Sequence, residues 1–434
     1  MASLELYILT FNCGRALIDP QLFGSHLLHA WPRDQAANLP DIIALSLQEV
    51  APIAYSFLGG AFLVPYLQRF EEAVAAAASS EHKELGHVYE TLIVRNVGMT
   101  VLMIFVKKEV KERVKWIQAG GCGVGVWGMG NKGGVGLRIG IDDKELTFVA
   151  MHLAPMEGAV KRRNEDWKNI VQNLVFEPIA HGSVRSKTTA NDEDEPLLPD
   201  SNPAVQDEQG IYTPRNIIFL AGDLNYRTSH EPPSKWSHHT YPQPQDFQQG
   251  GTTGSPVERL ELHALFERDQ LTAELAAERV LHGFTEQPIN FAPTYKYNTK
   301  DITKALEEPA DRWTWSTHRW PSWCDRILYL PPSGVLPHIY DSLPLIPSSD
   351  HRGVALSVTI PAHLARDDGG NLDLREHPPF EISTDWRSRR ARARSLEILV
   401  GIASYLALTY EGYAILVGIV GGAFGGYMLM RNLT

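Results

Sequence analysis

Short apolar runs rich in Val, Ile, Leu and Phe recur along the first 360 residues: Leu6–Thr10, Ile42–Leu47, Val101–Val106, Gly134–Ile139, Leu146–Met151, Ile217–Ala221, Ile327–Leu330 and Val354–Thr359. Each has the length of a strand, and most end at polar or glycine residues, which predicts strands. Between them, Pro65–Ala78 and Val160–Phe176 place apolar residues at three- and four-residue spacing and predict helices. Strands outnumber helices, so the pattern predicts an α+β sandwich, and no internal repeat is visible.

The periodicity fails in two places. Ser183–Tyr212 is rich in Pro, Ser and acid and reads as a disordered surface insertion, and Pro361–Trp386 reads as a linker. After the linker come Arg387, Arg389, Arg390, Arg392 and Arg394, then an apolar segment interrupted by Glu411, then the uncharged stretch from Gly412 to Met430. The expected organisation is therefore a catalytic domain over 1–360 with the acidic insertion at 183–212, a linker with its basic cluster over 361–395, and a membrane anchor over 396–434.

Composition narrows the class. A 434-residue chain with 44% hydrophobic and 21% charged residues can bury a sizeable core. The net charge of −11 argues against a nucleic-acid partner. Much of it is local, because Ala190–Gln209 holds seven carboxylates and no base. Cys13, Cys122 and Cys324 show no zinc spacing and no Cys-x5-Arg, which predicts a reduced, cytosolic domain and excludes a cysteine nucleophile.

Chemistry-bearing side chains cluster where apolar runs stop: Asn12 in TFNCG, Glu49 in LSLQEV, His152 in FVAMHLA, Asp223 and Asn225 in AGDLNYR, Asp325 in WCDRIL, and Asp350 with His351 in SSDHR. If the strands lie side by side, these ends converge on one edge. Oxygen and amide donors without thiolates suit a hard cation, so Mg2+ is expected, with Mn2+ an alternative. Direct attack of water on a phosphate bound beside the metal is the chemistry that remains.

GDLNYR at 222–227 and PSWCDRIL at 321–328 resemble the two signature motifs of the inositol polyphosphate 5-phosphatases. FNCG, SLQEV, GNKGGVG at 130–136, KRRNEDW at 161–167, PTYKYN at 293–298 and SSDHR match in family order. The resemblance implies a four-layer α/β sandwich of the DNase-I-like type. It implies that Glu49, with Asn12, holds the metal, and that Asp350 assists. Asp223 is implied to activate water and Asn225 to steady the phosphoryl oxygens. His351, oriented by Asp325, is implied to donate to the phosphate, with His152 as a second stabiliser. Lys296 and Arg319 are implied to contact the 4-phosphate, Asn131 and Lys132 to lie near the 1-phosphate, and Arg163 and Arg326 to join the substrate site. Two departures stand out: Thr317 where many relatives carry lysine, and Met156 in place of the second histidine of HLAAH. The implied reaction is hydrolysis of the 5-phosphate of a phosphoinositide, first of all phosphatidylinositol 4,5-bisphosphate.

Two other readings are weighed. A phosphodiesterase of the same fold, such as a sphingomyelinase or abasic-site endonuclease, shares the Glu, GDxN and SDH elements but not WCDR or TYKY. A non-catalytic phosphoinositide tether would lack the metal glutamate or the water-activating aspartate, and both are present. For the tail, the nineteen residues from Gly412 to Met430, at about 1.5 Å each, match a hydrocarbon core of ~30 Å. Ile398–Tyr410 is too short to cross and is expected at the interface. The arginines before the span put the domain in the cytosol, with the endoplasmic reticulum as the expected membrane. Gly418, Gly422 and Gly426 offer a face for helix–helix self-association.

Overall fold

In a computed structural model, residues 3–32, 39–81, 88–179, 209–214, 216–242, 263–299, 314–330, 335–362 and 372–433 are described. Thirteen strands appear among them: β1 Leu4–Asn12, β2 Ile42–Gln48, β3 Tyr89–Val97, β4 Thr100–Lys107, β5 Val114–Gly123, β6 Gly133–Ile141, β7 Lys144–His152, β8 Glu177–Pro178, β9 Asn216–Asp223, β10 Thr285–Glu286, β11 Asp325–Leu330, β12 Leu336–Ser342 and β13 Val354–Ile360. The helices are α1 Pro20–Leu27, α2 Ile53–Leu58, α3 Val64–Glu81, α4 Lys108–Lys111, α5 Val160–Asn173, α6 Gln270–Ala276, α7 Leu372–Glu376, α8 Trp386–Leu408 and α9 Tyr410–Leu433.

Alternation along β1 explains the layering. Leu6 and Ile8 face one way and Tyr7, Leu9 and Phe11 the other, as the two-residue period of a strand demands. The first face meets Ala44 and Ile104 of its own sheet and Phe148, Phe219 and Ile327 of the second, so the inner core lies between sheets. The second face packs on Phe23 of α1 and Phe70 of α3. On the far side, Leu220 and Leu328 pack against Trp167 and Ile170 of α5 and Leu271 of α6. The result is helices, sheet, sheet, helices, as expected for the four-layer α+β sandwich.

One sheet has the order β12-β13-β1-β2-β4-β3 and the other β10-β11-β9-β7-β6-β5-β8. β1 and β2 run parallel, as do β7 and β9, which brings the C-terminal ends of each pair to the same edge. Gly222 permits that pairing: a Cβ there would lie 2.0 Å from the Met151 carbonyl oxygen.

The segments outside the periodic pattern behave differently from the expectation where they are described. Residues 183–208 of the expected acidic insertion lie outside the described residues. Its last residues, 209–212, are part of the domain: Ile211 and Tyr212 are buried, and Arg138 donates to the carbonyls of Gly210 and Ile211. The polar stretch before the arginine cluster also lies on the sandwich, through Phe380 against His282 and buried Trp386. The basic cluster and the apolar segment after it form one helix, α8, which packs against α2 rather than standing apart as a linker followed by an interfacial segment. α9 is exposed over nearly all of its length, with Gly412 alone buried against the end of α8 among its described residues; Tyr410–Asn432 has a mean hydropathy of 1.7 over its most apolar window, none of which is buried, so it is one candidate membrane-spanning helix.

Candidate active site

Strand register builds the site. His152 ends β7 opposite Asp223 at the end of β9, and Asp223 is in turn opposite Asp325 at the start of β11. Three neighbouring strands thus present an imidazole and two carboxylates in a row. From the other sheet, Asn12 ends β1 beside Gln48, the residue before Glu49. The Asn12 amide donates to Asp223 Oδ2 at 3.0 Å, linking the two sheets. His351 enters from the loop before β13, with Nδ1 2.8 Å from Asp325 Oδ2.

The two histidines are shifted in opposite directions. Burial and the nearby Lys132 ammonium lower the pKa of His152 against the pull of Asp223 and Glu49, and its Nε2 lies 3.2 Å from Asp223 Oδ2. Burial also opposes charge on His351, but the carboxylates of Asp325, Asp223 and Asp350 outweigh it and raise its pKa to about 9. Its Nε2 lies 4.0 Å from Asp223 and 3.9 Å from Asp350, beyond hydrogen-bond range, which leaves the N–H for a ligand. Burial pushes Asp325 up to about 6 against the pull of His351. Asp223 is held well below the carboxylate range: burial raises it, but the His152 hydrogen bond and the His351 charge win. It is a strong acceptor, suited to orienting a water more than to keeping a proton.

Two site residues have left-handed backbones, Glu49 at φ 47° and Asn225 at φ 57°. Such strain, roughly 1–3 kcal/mol each, persists only where the surroundings enforce it. At Asn225 they do so through its side chain, which donates to the Leu153 carbonyl at 3.1 Å and accepts from Arg227.

Glu49 sits between two cations, Arg15 Nε at 3.1 Å and Lys132 Nζ at 3.5 Å. Burial raises its pKa, but His152, Lys132 and Arg15 lower it further, so it is ionised. A carboxylate that draws two cations at the mouth of an oxygen- and amide-lined cleft is the donor chemistry of a hard divalent ion. Glu49 and Asn12 offer such donors near Asp223, while Asp350 is paired with Lys296 and lies 3.9 Å from His351. Asp223, Asp325 and His351 have ligand atoms within 4.8 Å of one another, but the His351–Asp325 hydrogen bond commits Nδ1 and Asp223 stays 4.0 Å from Nε2, so only one pair in this group is hydrogen-bonded.

The remaining expectations divide. Lys296 lies at the site, with Nζ 2.5 Å from Asp350 Oδ2. Arg319 is at the rim, 3.7 Å from Glu157 and within reach of the exposed Met156 sulfur, so the departure at Met156 falls beside the expected 4-phosphate contact. Thr317 is exposed, with its hydroxyl 3.2 Å from His318 Nδ1. Asn131 Oδ1 is buried beside Lys132, without a hydrogen-bond partner among the described residues. Two residues are not brought to the cleft. Arg163 is fully buried and donates to the carbonyls of Ala154 and Met156 and to Gln270, so it braces the loop after β7. Arg326, also buried, is paired with Asp269 and Glu286, because its side chain alternates to the face opposite Asp325. The sequence reading missed Arg15, signalled only by its place in FNCGR. It also missed Thr294, whose hydroxyl donates to Asp325 Oδ2 at 2.7 Å, and gave no role to Arg227.

Residues 9–357 match the family described as Endonuclease/Exonuclease/phosphatase family 2. The chain belongs to that family. Among curated members, the type II inositol 1,4,5-trisphosphate 5-phosphatase of Mus musculus is 28% identical over 74% of this chain and 27% of its own length. A probable inositol polyphosphate 5-phosphatase of Schizosaccharomyces pombe is 24% identical over 94% of this chain and 32% of its own. The chain thus spans about a quarter to a third of these relatives. The inositol polyphosphate 5-phosphatase domain of a synaptojanin, crystallised with inositol (1,4)-bisphosphate and calcium ion, superposes with a TM-score of 0.57 at 22% identity, covering 92% of both chains. In this family member, then, the sandwich carries the polar strand ends described above.

Proposed function

We propose that this chain is a phosphoinositide 5-phosphatase that converts phosphatidylinositol 4,5-bisphosphate to phosphatidylinositol 4-phosphate. The observation that carries the reading is the row His152–Asp223–Asp325 with His351 hydrogen-bonded to its end and Glu49 facing it from the second sheet. Asp223, fixed by Asn12 and His152, orients a water for in-line attack on the 5-phosphorus; the bond from phosphorus to the inositol oxygen breaks, and inorganic phosphate leaves. Asn225 and the His351 imidazolium meet the phosphoryl oxygens as charge gathers on them. Magnesium, or manganese, held by Glu49, Asn12 and Asp350, supplies neutralisation of phosphate charge when bound. Lys296 and Arg319 face the 4-phosphate, and Asn131 with Lys132 the 1-phosphate.

The described catalytic residues all fall within 1–360, the proposed catalytic domain. The exposed helix α9 is proposed as a tail anchor that holds the domain on the cytosolic face of a membrane, with the endoplasmic reticulum as the first choice. Gly418, Gly422 and Gly426 have nothing within 4 Å of an added Cβ, so the face proposed for self-association is open.

The test is inorganic phosphate release by the full chain in detergent from 4,5-bisphosphate and 3,4,5-trisphosphate lipids and soluble inositol phosphates, beside phosphocholine release from sphingomyelin and strand cleavage of abasic DNA. Release from the 5-phosphates that stops in EDTA and returns with magnesium or manganese is expected. Cleavage of a diester with no monoester turnover would overturn the reading, and activity rescued by zinc alone would overturn the metal assignment.

A further inference from the structure

Helix α8 touches both loops that frame the Glu49 side of the cleft. Its Glu397 is buried, and Oε1 accepts the Gly130 backbone N–H at 2.6 Å, 267 residues away in sequence. Gly130 immediately precedes Asn131 and Lys132. One turn earlier, Arg394 donates to the carbonyls of Phe57 at 2.7 Å and Leu58 at 3.3 Å, the last residues of α2. That helix begins four residues after Glu49. One turn later, Gly401 lies so close to α2 that a Cβ would come within 3.1 Å of Phe57 Cβ and 3.2 Å of the Leu58 nitrogen. Tyr405 then packs its ring on Phe62 and Tyr55, with centroids 5.3 and 6.3 Å apart.

A helix that only covered an apolar surface would gain nothing from a buried carboxylate, because burying charge is costly unless it is paired. Glu397 is paired on both oxygens: one with Gly130, the other 3.5 Å from Arg394. Hydrogen bonds to an ionised acceptor are short and roughly twice as strong as neutral ones, and they fix register. The Gly130 carbonyl is also taken, by the Met99 N–H at 3.0 Å, so the peptide groups on both sides of the Gly130 Cα are held. Freed from Glu397, Gly130 would keep only the Met99 contact, while the turn around it would retain its internal bonds from the Val124 N–H to the Lys132 carbonyl and from the Gly125 N–H to the Met129 carbonyl.

We propose that α8 is a positioning element of the phosphatase site, in which Glu397 holds the loop before Lys132 in place and so sets Asn131 and Lys132 for the phosphate on the inositol 1-position. This rests on the 5-phosphatase reading. Glu397 touches no substrate; it acts through Gly130. The segment expected as a tether is therefore a working part of the domain, and the same helix leads, after Thr409, into the candidate span.

The experiment uses the full chain in detergent with two soluble probes, inositol 1,4,5-trisphosphate and inositol 4,5-bisphosphate, which lacks the 1-phosphate. Glu397→Ala is expected to raise KM for the first probe about tenfold, the scale of one lost charge-assisted hydrogen bond. The second probe and kcat should change less than about twofold, and amide exchange should quicken over 123–132 alone. Glu397→Gln, which keeps an acceptor oxygen, should recover most of the loss. Should Glu397→Ala fail to fold, Glu397→Asp, which keeps charge but falls one methylene short, gives the same comparison. Unchanged KM and exchange, or equal losses on both probes, would overturn the proposal while leaving the 5-phosphatase reading intact. A wild-type chain inactive on both probes and on the lipids would instead sink that reading.

Discussion

At the scale of residues, the site's chemistry divides among side chains that burial and neighbours have pushed apart. Asp223 is fixed by Asn12, His152 and the Asn225 backbone N–H. Asp223→Asn keeps the shape but turns the acceptor facing His152 partly into a donor, so phosphate release should fall about 10²- to 10⁴-fold with the thermal midpoint little changed. Near wild-type turnover would remove Asp223 from the reaction. Lys296→Ala should impair hydrolysis of a 4,5-bisphosphate lipid far more than of a lipid phosphorylated at position 5 alone; equal losses would leave Lys296 as no more than the partner of Asp350. His282 offers a test of stability away from the cleft. Its Nδ1 accepts from Trp167 Nε1 at 3.4 Å, and burial lowers its pKa below the ordinary value of 6.5. The unfolded chain therefore takes up a proton first, and stability is lost as pH falls from about 6.5 through the lower folded value. His282→Gln should flatten the fall of Tm between pH 7.5 and 5.5, and an unaltered pH profile would contradict this.

At the scale of elements, α8 decides where the chain can be cut. Ending it after Leu408 removes only α9 and should give a protein that no longer sediments with membranes yet keeps its turnover on soluble inositol phosphates. Ending it at residue 386 strips Arg394, Glu397 and Gly401 from α2 and Gly130, and should raise KM and lower Tm. Equal behaviour of the two truncations would mean that α8 contributes nothing. Which elements were legible in the sequence follows from their surroundings. All eight apolar runs became strands because each is buried on both faces, so hydrophobicity alone marks them. β3, β5 and β12 escaped notice: YETLIVRNV and LPHIYDS lie at a sheet edge, and VKWIQAGGCG next to one, all with half-exposed faces that dilute the apolar signal. The strand-end residues of the site were legible because a polar group that stops an apolar run is conspicuous. Glu397 was not, since nothing in RSLEIL shows that its carboxylate meets an amide from the middle of the chain. Arg163 and Arg326 were misplaced for the converse reason: motif membership does not tell which face of a helix or strand a side chain takes.

At the scale of the whole molecule, the sandwich and α9 are separated by Thr409 alone, because α8 stays on the sandwich up to its final turns. A flexible tether of thirty-odd residues would let the catalytic cleft roam over roughly 5–6 Å times the square root of its length. Here that freedom is absent. If α9 spans a bilayer as proposed, the cleft rides at a fixed height above one leaflet and meets lipid by lateral diffusion within it. Rate should then follow the surface density of substrate in the host membrane and be indifferent to lipid in neighbouring bilayers. In a mixture of enzyme-bearing vesicles with enzyme-free vesicles carrying a distinguishable label, only the first population should lose its 5-phosphate, whereas conversion of both at similar rates would mean that the cleft reaches across. Under both proposals, an enzyme built this way would edit the lipids of the membrane that holds it and leave a facing membrane unread, even at close contact.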